Sequence, residues 1–490
     1  MYLRTFLDKL PEKYVTGSAD GIDIKGVAYD PLRTKPGFLF VAINTYTQLN
    51  KVEIPDGHDK IRQAITKGAT AIVVQRDMDL PDSVVKIVVP NSRNALAVAS
   101  NLFYGHPSRK LKLLGITGTN GKTTTTHIVE SILILKYKIG LIGTLYYKLQ
   151  GVIHKSKDTT PEPPDLQMIF KEMADQNFDY CVLEASSHGI DFHRLDGCRF
   201  EAAAFTNLSQ DHLDFHKTME NYLATKTRLF SWLAEDKYAI INVDDPVADR
   251  FIKATRAQIL TYGIRNDADV MAKHIDLGIQ RTHYVLKTPK GEVDINARLV
   301  GKFNVHNALA ATAIALSQGL DLDTIKMGLE SQIRVSGRFE LVDKGQPFSV
   351  VVDYAHTPDG LENVLRLARD LNPRRLITVF GCGGDRDKEK RPIMGRIASD
   401  YSDEIIITAD NPRNEDPQLI SNSIAEGIAH QEYKIILDRK EAIRKAILSA
   451  GKGDIVMICG KGHETTQTIK KRTFHFNDVE TALEILKEIH

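Results

Sequence analysis

Cysteine is scarce in this sequence, with four residues in 490, and tryptophan occurs once. The cysteines lie far apart, within or at the ends of apolar runs, at Cys181, Cys198, Cys382 and Cys459. This spacing argues against a disulfide framework or a cysteine metal site and is typical of buried thiols in a reducing compartment. We therefore expect a cytoplasmic protein.

Long apolar runs and an excess of one charge are also missing. No apolar run approaches the roughly 18 residues of a membrane span, and the N-terminus carries charge too early for a signal peptide. Lysine and arginine number 64 and aspartate and glutamate 63, mixed along the chain, so no basic stripe indicates a nucleic-acid or membrane surface. The expected partners are small molecules, and we expect a monomer.

The length of 490 residues is too great for one hydrophobic core, since single cores rarely exceed roughly 250–300 residues. Strand-length apolar runs alternate with helical periodicity, which predicts an α/β fold with mostly parallel sheets. We predict three domains, which cover residues 1–107, 108–336 and 337–490.

The predicted strands fall in all three blocks. They cover 38–43, 71–74 and 85–89 in the first block, 180–184, 202–206 and 238–243 in the second, and 348–352, 376–380, 404–408, 434–437 and 455–459 in the third. Helices are predicted over 92–104, with Ser92 as its cap, and over 304–319.

The strongest motif is the run Gly118-Thr119-Asn120-Gly121-Lys122-Thr123, which follows an apolar stretch and precedes a helical segment. Glycines let backbone N–H groups approach phosphate oxygens, and the helix N-terminus adds partial positive charge. Lys122 can neutralise the charge of the phosphate, and Thr123 can ligate magnesium. The spacing departs from the common G-x-x-x-x-G-K-[ST] form, and a glycine-rich turn without a ligand is the alternative. The motif predicts binding of a nucleoside triphosphate.

Polar residues follow the next strands of the second block. Glu184 ends one predicted strand and is a candidate magnesium ligand, although a helix N-cap with Ser186 is an equal alternative. The segment 206–216 follows another strand and contains His212 and His216, for which a metal or phosphate role competes with a structural one. Ligands bind at the carboxyl ends of parallel strands, so these side chains are expected at one site.

Three polar loops follow strands of the third block and suggest one pocket that contains Arg386, Asp410, Arg413 and Glu464. Opposite charges in one pocket suit a zwitterion, because a guanidinium can fork onto a carboxylate while acid groups take an ammonium. The alternative is a set of surface turns with weak salt bridges.

Together these motifs resemble those of the Mur ligases, and within them the UDP-N-acetylmuramoyl-tripeptide synthetases, which add the third residue of the peptidoglycan stem peptide. The likeness runs from about residue 111 to the C-terminus. It rests on residues 118–123, 159–162, 184–188, 206–214, 242–245, 337–340, 353–359 and the three loops of the third block.

The resemblance implies an ATP-dependent carboxylate–amine ligase of cell-wall synthesis. It would add meso-diaminopimelate to UDP-N-acetylmuramoyl-L-alanyl-D-glutamate through an acyl phosphate. The three domains would then be an N-terminal α/β domain that holds the UDP part (1–107), a central P-loop ATPase-like domain (108–336) and a C-terminal Rossmann-like domain that binds the amino acid (337–490). The implied ATP contacts are Gly118, Thr119, Asn120, Gly121, Lys122, Thr123, Thr124, Asn304 and Arg338. The implied contacts to the UDP-peptide are Thr159, Thr160, Ser186 and Arg194. The implied diaminopimelate contacts are Arg386, Asp410, Asn411, Pro412, Arg413, Gly460 and Glu464.

The resemblance also implies a catalytic and metal set. The catalytic residues would be Lys122, Glu184, His212 and Lys226. Thr123 and Glu184 would hold one Mg²⁺, and His212 would help to hold a second. Lys226 matches the lysine that the family carbamylates with CO2. An ammonium about 5 Å from a divalent ion is repelled by several kcal/mol even at an effective dielectric near 20, whereas a carbamate is attracted.

The first block departs from the family pattern. Pro31 stands where family members carry a serine that contacts the uridine nucleotide, and proline offers neither hydroxyl nor N–H. The loop 44–58 is several residues longer than usual. Both departures fall on the expected UDP site, so a paralogous ligase that uses the same chemistry on a different acyl substrate or amino acid is the alternative function.

Overall fold

The structure is a computed structural model that describes residues 1–43, 56–149, 151–156, 158–278, 281–331, 336–429 and 432–489. Within these residues the strands form three large sheets and one two-stranded ribbon. Each large sheet is mixed but mainly parallel and carries helices on its faces, which confirms the predicted α/β fold. The domain boundaries after residues 107 and 336 remain predictions.

The N-terminal sheet has five strands. Its elements are β1 (Tyr14–Thr16), β2 (Gly26–Ala28), β3 (Phe38–Val41), β4 (Ala71–Val74), β5 (Val85–Val88), α1 (Leu3–Leu7), α2 (Ile61–Thr66) and α3 (Ser92–Phe103). The strand order is β1-β5-β4-β3-β2, and only β1 runs antiparallel to its neighbour. The predicted cap of α3 is wrong: the Asn91 side chain, not Ser92, accepts from the N–H groups of Arg93 and Asn94.

The central sheet has eleven strands. They are β6 (Lys112–Thr117), β7 (Ile139–Ile142), β8 (Tyr146–Leu149), β9 (Val152–Lys155), β10 (Tyr180–Glu184), β11 (Phe200–Phe205), β12 (Tyr238–Asn242), β13 (Gln258–Gly263), β14 (Val270–Leu277), β15 (Thr282–Thr288) and β16 (Gly291–Ala297). The order β16-β15-β14-β13-β12-β11-β6-β10-β7-β8-β9 places parallel strands in the middle and antiparallel hairpins at both ends. The predicted parallel core is confirmed, and both hairpins are additions to it.

Helices cover both faces of the central sheet. They are α4 (Lys122–Leu133), α5 (Pro163–Asp175), α6 (Ser187–Asp191), α7 (Leu213–His216), α8 (Met219–Ser231), α9 (Ala248–Ala254), α10 (Lys302–Ser317) and α11 (Leu322–Glu330). Leu114 and Ile116 of β6 face the core under α4, α10 and α11, while Leu113 faces the core under α5, α8 and α9. This alternation fixes β6 in the centre of the sheet, because both of its faces are buried.

The third domain repeats the arrangement on a smaller scale. Its elements are β17 (Glu340–Val342), β18 (Ser349–Asp353), β19 (Leu376–Phe380), β20 (Glu404–Ile407), β21 (Tyr433–Ile435), β22 (Ile455–Cys459), the ribbon β23 (Thr466–Ile469) and β24 (Arg472–His475), α12 (Pro358–Asp370), α13 (Lys390–Tyr401), α14 (Pro417–Ala425), α15 (Arg439–Ser449) and α16 (Asp478–Ile489). The sheet order is β17-β18-β22-β19-β20-β21, parallel except for β17.

The carboxyl ends of the central and third sheets face a common cleft. Side-chain hydrogen bonds cross it: Asn120, in the loop after β6, donates to Asp359 at the start of α12 at 2.6 Å, and Arg338 lies within 3.4 Å of the Thr123 hydroxyl. In the part of the chain described here, no helix is both long and apolar enough to cross a membrane.

Candidate active site

The loop between β6 and α4 is held in a conformation that glycine permits. Gly118 has φ +147° and Gly121 has φ +87°. A Cβ on Gly118 would lie 1.8 Å from the Thr206 hydroxyl, and one on Gly121 would lie 2.3 Å from the Asn307 amide oxygen. The next residue is the first of α4, whose first-turn N–H groups have no intrahelical partner. The loop therefore has the strand–turn–helix form that a phosphate site needs.

Lys122 Nζ donates back to the carbonyls of Gly118 at 3.0 Å and Thr119 at 2.7 Å. Burial lowers the pKa of this ammonium, and the charge of Glu184 only partly compensates. Asn207, which the sequence did not single out, holds the far side of the loop by accepting from the N–H groups of Thr119 and Asn120 at 2.8 and 3.0 Å. The cationic head of Lys122 thus lies inside the loop.

Glu184 ends β10 and is buried beside the loop. Its carboxylate accepts from the Thr123 hydroxyl at 3.0 Å and from the Thr144 N–H and hydroxyl at 2.9 and 3.0 Å. Ser186, not Glu184, caps the following helix by accepting from the Gly189 N–H at 3.0 Å. Because Thr123 and Glu184 present oxygen atoms side by side, they fit a hard divalent cation that keeps its other ligands from phosphate and water.

Lys226 lies on α8 and is only 1% exposed, so it is not a helix-surface lysine. Its Nζ donates to the Gly118 carbonyl at 2.8 Å and lies 4.4 Å from the centre of the Tyr222 ring. Burial, followed by the nearby charge of Lys122, lowers the Lys226 pKa well below its usual value. This environment favours the neutral amine.

Of the two predicted histidines, His212 lines the cavity next to the loop. Its Nε2 lies 3.3 Å from the Asp211 carboxylate, and its ring contacts that of His188 edge-on, with centroids 4.8 Å apart. His216 is buried against Tyr222, with ring centroids 4.9 Å apart, and does not line that cavity. Among the described residues no cluster of three histidine, cysteine or carboxylate side chains forms a metal cage.

Two cavities meet at the phosphate loop. The smaller, of about 250 Å³, is lined by Lys122, Glu184, His212 and Lys226 together with the predicted substrate contacts Thr159, Ser186 and Arg194. The larger, of about 680 Å³, is lined by Asn120, Gly121, Thr124, Asn207, His306, Asn307 and Arg338, among others. The phosphate loop is thus shared by two adjoining cavities.

Two predicted contacts lie behind these cavities. Asn304 is buried in α10, where its amide donates to the Val300 carbonyl at 2.9 Å and accepts from Asn307 at 3.1 Å. Asn307, one turn later, lines the larger cavity instead. Thr160 donates to the Glu184 carbonyl at 2.7 Å, and its own carbonyl accepts from Arg194 at 2.7 Å. Both residues therefore act here as supports for neighbours that face the cavities.

Arg338 connects the central and third domains. Its guanidinium lies over the Tyr354 ring at 4.7 Å from the centroid, and its NH2 group reaches the Thr123 hydroxyl. Tyr354 and His356, which follow β18, also line the smaller cavity. Lys390 of α13 donates to the His356 carbonyl at 2.8 Å. The quoted segment 353–359 thus supplies cleft residues, although the sequence did not assign them individually.

The predicted amino-acid residues of the third domain converge at one sheet edge. Asn411 and Lys461 both donate to the Glu464 carboxylate at 2.8 Å, and a Cβ on Gly460 would lie 2.7 Å from an Asp410 oxygen. Arg413 donates to the Gly384 carbonyl at 2.7 Å, in the same loop as Arg386.

The positive charges of Arg386 and Arg413 lie close enough to affect each other. Burial lowers the pKa of Arg386, and the nearby charge of Arg413 adds to that effect. Pro412 backs the same loop, because its carbonyl would lie 2.0 Å from a Cβ on Gly384. Two cations therefore lie close together at the sheet edge from which the loops carrying Asp410 and Glu464 also emerge.

The first domain contacts the central one through Asp165 of α5. This carboxylate accepts from the Tyr29 hydroxyl at 3.0 Å and from Arg33 at 2.5 Å. Pro31 lies between these two residues, buried at the start of a short 3-10 turn. Of the long loop, residues 44–55 lie outside the described residues, while His58 is buried and bonded to Asp56 at 2.8 Å.

Comparison with known proteins places this geometry in a family. Residues 116–315 match the Mur ligase middle domain, and residues 337–462 match the domain described as "Mur ligase, glutamate ligase domain". The chain is 48% identical to a UDP-N-acetylmuramoyl-L-alanyl-D-glutamate--2,6-diaminopimelate ligase of Bacillus licheniformis, over 99% of each chain. The chain belongs to the Mur ligase family. The predicted class, an ATP-dependent ligase, is confirmed for this Mur ligase.

Other relatives in sequence and structure are also Mur ligases. A ligase of the same name from Geobacillus thermodenitrificans is 44% identical over the full length of both chains. A solved structure of a UDP-N-acetylmuramoyl-L-alanyl-D-glutamate--2,6-diaminopimelate ligase matches with TM-score 0.66 and 33% identity over 95% of each chain. The MurF ligase of Thermotoga maritima, solved in complex with ADP, shares the fold at TM-score 0.64 and 19% identity, covering 94% of this chain and 97% of that one. The predicted three-domain fold of a Mur ligase is confirmed.

The buried histidines predict how the stability of this Mur ligase depends on pH. Burial lowers the pKa of His356 to about 4 and those of His216 and His463 to about 3. Below pH 6.5 these histidines bind protons in the unfolded chain but remain neutral in the folded chain. The free energy of unfolding therefore falls as the pH decreases. Each such histidine costs up to about 1.4 kcal/mol per pH unit in that range.

The expected result is a clear loss of stability between pH 7.5 and 5.5, measured by chemical denaturation at both values. His463→Asn should reduce this loss, while His283→Asn, at a side chain 48% exposed, should leave it unchanged. Equal pH dependence in all three proteins would contradict the assignment.

Proposed function

We propose that this protein joins meso-diaminopimelate to UDP-N-acetylmuramoyl-L-alanyl-D-glutamate at the expense of ATP. The observation that carries the proposal is the smaller cavity, in which Lys122, Glu184 and Lys226 share one space with Thr159, Ser186 and Arg194. A γ-phosphate held by the loop would there meet an acyl group held by the substrate residues. The names of full-length relatives at 44–48% identity supply the substrates.

The reaction needs two displacements. The terminal carboxylate of the acyl substrate attacks the γ-phosphorus, the new O–P bond forms as the bond to ADP breaks, and an acyl phosphate results. The amine of diaminopimelate then attacks the acyl carbon, phosphate leaves with the C–O bond electrons, and the amine loses a proton. Activation is required because a free carboxylate has no adequate leaving group.

The chain contributes positive charge and orientation to the first displacement. Lys122 and Arg338 face the phosphate end of the cleft, where their charges would stabilise the equatorial oxygens of the transferred group. Thr123 and Glu184, with His212 nearby, would hold Mg²⁺. Bound there, the cation would offset the negative charge of the triphosphate.

Lys226 is suited to the carbamate proposed for it. Only a neutral amine attacks CO2, and the buried site lowers the Lys226 pKa. The N–C bond forms as one electron pair of a C=O bond of CO2 moves onto oxygen, and the nitrogen then loses a proton to solvent. The resulting carbamate would carry a negative charge beside the Lys122 ammonium and compensate it. We propose that this carbamate completes the electrostatic balance of the phosphate site.

The full-length match to the diaminopimelate ligases includes the first domain, where Pro31 replaces the expected serine. This coverage favours the UDP-dipeptide over the alternative acyl substrate. The buried position of Pro31 leaves the UDP contact to other residues of that domain.

Phosphate release tests the proposed reaction. The purified protein with Mg²⁺ and ATP should release phosphate only when both the UDP-dipeptide and meso-diaminopimelate are present, and L-lysine should be a poor replacement. Glu184→Gln should abolish the release. Equal activity with lysine, or release that needs no amino acid, would contradict the proposal.

Arg413 is expected to select the amino acid, because its guanidinium would pair the distal carboxylate that lysine lacks. Arg413→Met should lower kcat/KM for meso-diaminopimelate by about 30- to 1,000-fold, equivalent to about 2–4 kcal/mol, and should erase the preference over L-lysine. The matched control is Arg396→Met on α13, where the side chain is 79% exposed. Retained preference in Arg413→Met would rule out this role.

Carbamylation of Lys226 can be measured directly. Native mass spectrometry in bicarbonate buffer should show one added CO2, which Lys226→Ala should lack while losing about a hundredfold or more in kcat. Lys253→Ala, at an exposed lysine of α9, should keep both. A fully active Lys226→Ala protein would contradict the proposed role of a carbamate at Lys226.

A further inference from the structure

A fully buried ion pair lies behind the amino-acid loops of the third domain. Arg439, the first residue of α15, and Asp478, the first residue of α16, both have side chains with no solvent exposure. The guanidinium forks onto the carboxylate, with Nε–Oδ1 and NH2–Oδ2 distances of 2.7 Å. A buried ion pair of this kind often contributes little to the net stability of a fold, because the cost of desolvating both charges offsets their attraction. Its location behind the amino-acid loops therefore needs an explanation other than stability.

One side of the pair reaches the loop after β22. The Arg439 NH2 group also donates to the Cys459 carbonyl at 3.0 Å. The next residue, Gly460, has φ +115° and packs so closely that a Cβ there would lie 2.7 Å from an Asp410 oxygen. The pair therefore fixes the peptide against which the Asp410 carboxylate rests.

The other side reaches the loop that carries Glu464. Asn477, directly before Asp478, donates to the Glu464 carbonyl at 3.3 Å, and the Phe476 N–H donates to the Thr465 carbonyl at 3.0 Å. The Glu464 carboxylate in turn accepts from Asn411 and Lys461. The start of α16 is thus attached to the second acid of the predicted pocket.

We propose that Arg439 and Asp478 are positioning residues for the amino-acid substrate, which set the distance between Asp410 and Glu464 without touching the ligand. The inference rests on the proposed function, because it takes these two acids as the groups that bind the substrate's ammonium. A misplacement of about 1 Å in such a pair is enough to cost about a hundredfold in rate or affinity.

The Arg439–Asp478 pair also carries a mark of a positional rather than a purely structural role. The Arg439 NH1 group is buried and has no hydrogen-bond partner within the described residues. An arginine used only to join α15 to α16 would gain from a site that satisfies all its donors. Two exposed pairs, Arg444–Glu488 and Lys440–Glu484, already join the same helices.

The test uses the double variant Arg439→Met/Asp478→Leu, which removes both charges together and leaves neither buried alone. We expect the KM for meso-diaminopimelate to rise at least tenfold, while the KM values for ATP and the UDP-dipeptide change less than twofold. The control Arg444→Met/Glu488→Leu breaks the exposed pair between the same helices and should leave all three KM values unchanged.

Two further variants guard against loss of folding in the double variant. Arg439→Lys keeps the positive charge without the fork, and Asp478→Glu keeps the negative charge on a longer side chain, so neither variant leaves a buried charge alone. Each should raise the diaminopimelate KM selectively, in the full-length enzyme with a thermal midpoint close to that of the unaltered protein.

The outcomes separate the two proposals. If the unaltered protein shows no diaminopimelate-dependent phosphate release, the proposed function fails. If the unaltered protein is active and the pair variants raise all three KM values equally, or none, the positioning role is overturned and the pair is structural only.

Discussion

Unbalanced positive charge in a buried cleft is the constraint on which this structure depends. Lys122 and Lys226 both bond to the Gly118 carbonyl, neither bonds to a carboxylate of the described residues, and Arg338 adds a third cation. Burial of an ammonium that nearby carboxylates compensate only in part is costly, and the lowered pKa values of both lysines express that cost. A polyphosphate relieves it, so the cleft is built as the complement of its substrate's charge.

The fold serves this cleft by placing strand ends together. Because β10, β6, β11 and β12 are parallel neighbours, Glu184, the phosphate loop, Thr206 and Asn242 emerge at one edge. The third sheet turns its own strand ends towards the same space, with Tyr354 and His356 at the rim of the smaller cavity. The two sheets thereby share one cleft at the carboxyl ends of their strands, which is where α/β sheets bind ligands.

Much of this was predictable from the sequence, and the limits have physical causes. Apolar runs and polar strand ends predicted the parallel strands, since buried parallel strands read as continuous hydrophobic segments. The hairpins β8–β9 and β15–β16 were missed because their alternating, half-exposed strands resemble polar loops. Side-chain roles decided by tertiary packing were also beyond reach: Asn307 rather than Asn304 faces the cavity, and nothing local marks Lys226 as buried.

Arg338 follows Gly337, whose φ of +67° and contact with the backbone of Gly462 and His463 leave no room for a side chain. Residue 337 is therefore pressed against the loop after β22, while the side chain of the next residue reaches the Thr123 hydroxyl across the cleft. The position of the Arg338 guanidinium beside the phosphate loop thus depends on how closely Gly337 is seated against residues 462 and 463. Any side chain at position 337 would displace that seat and the guanidinium together.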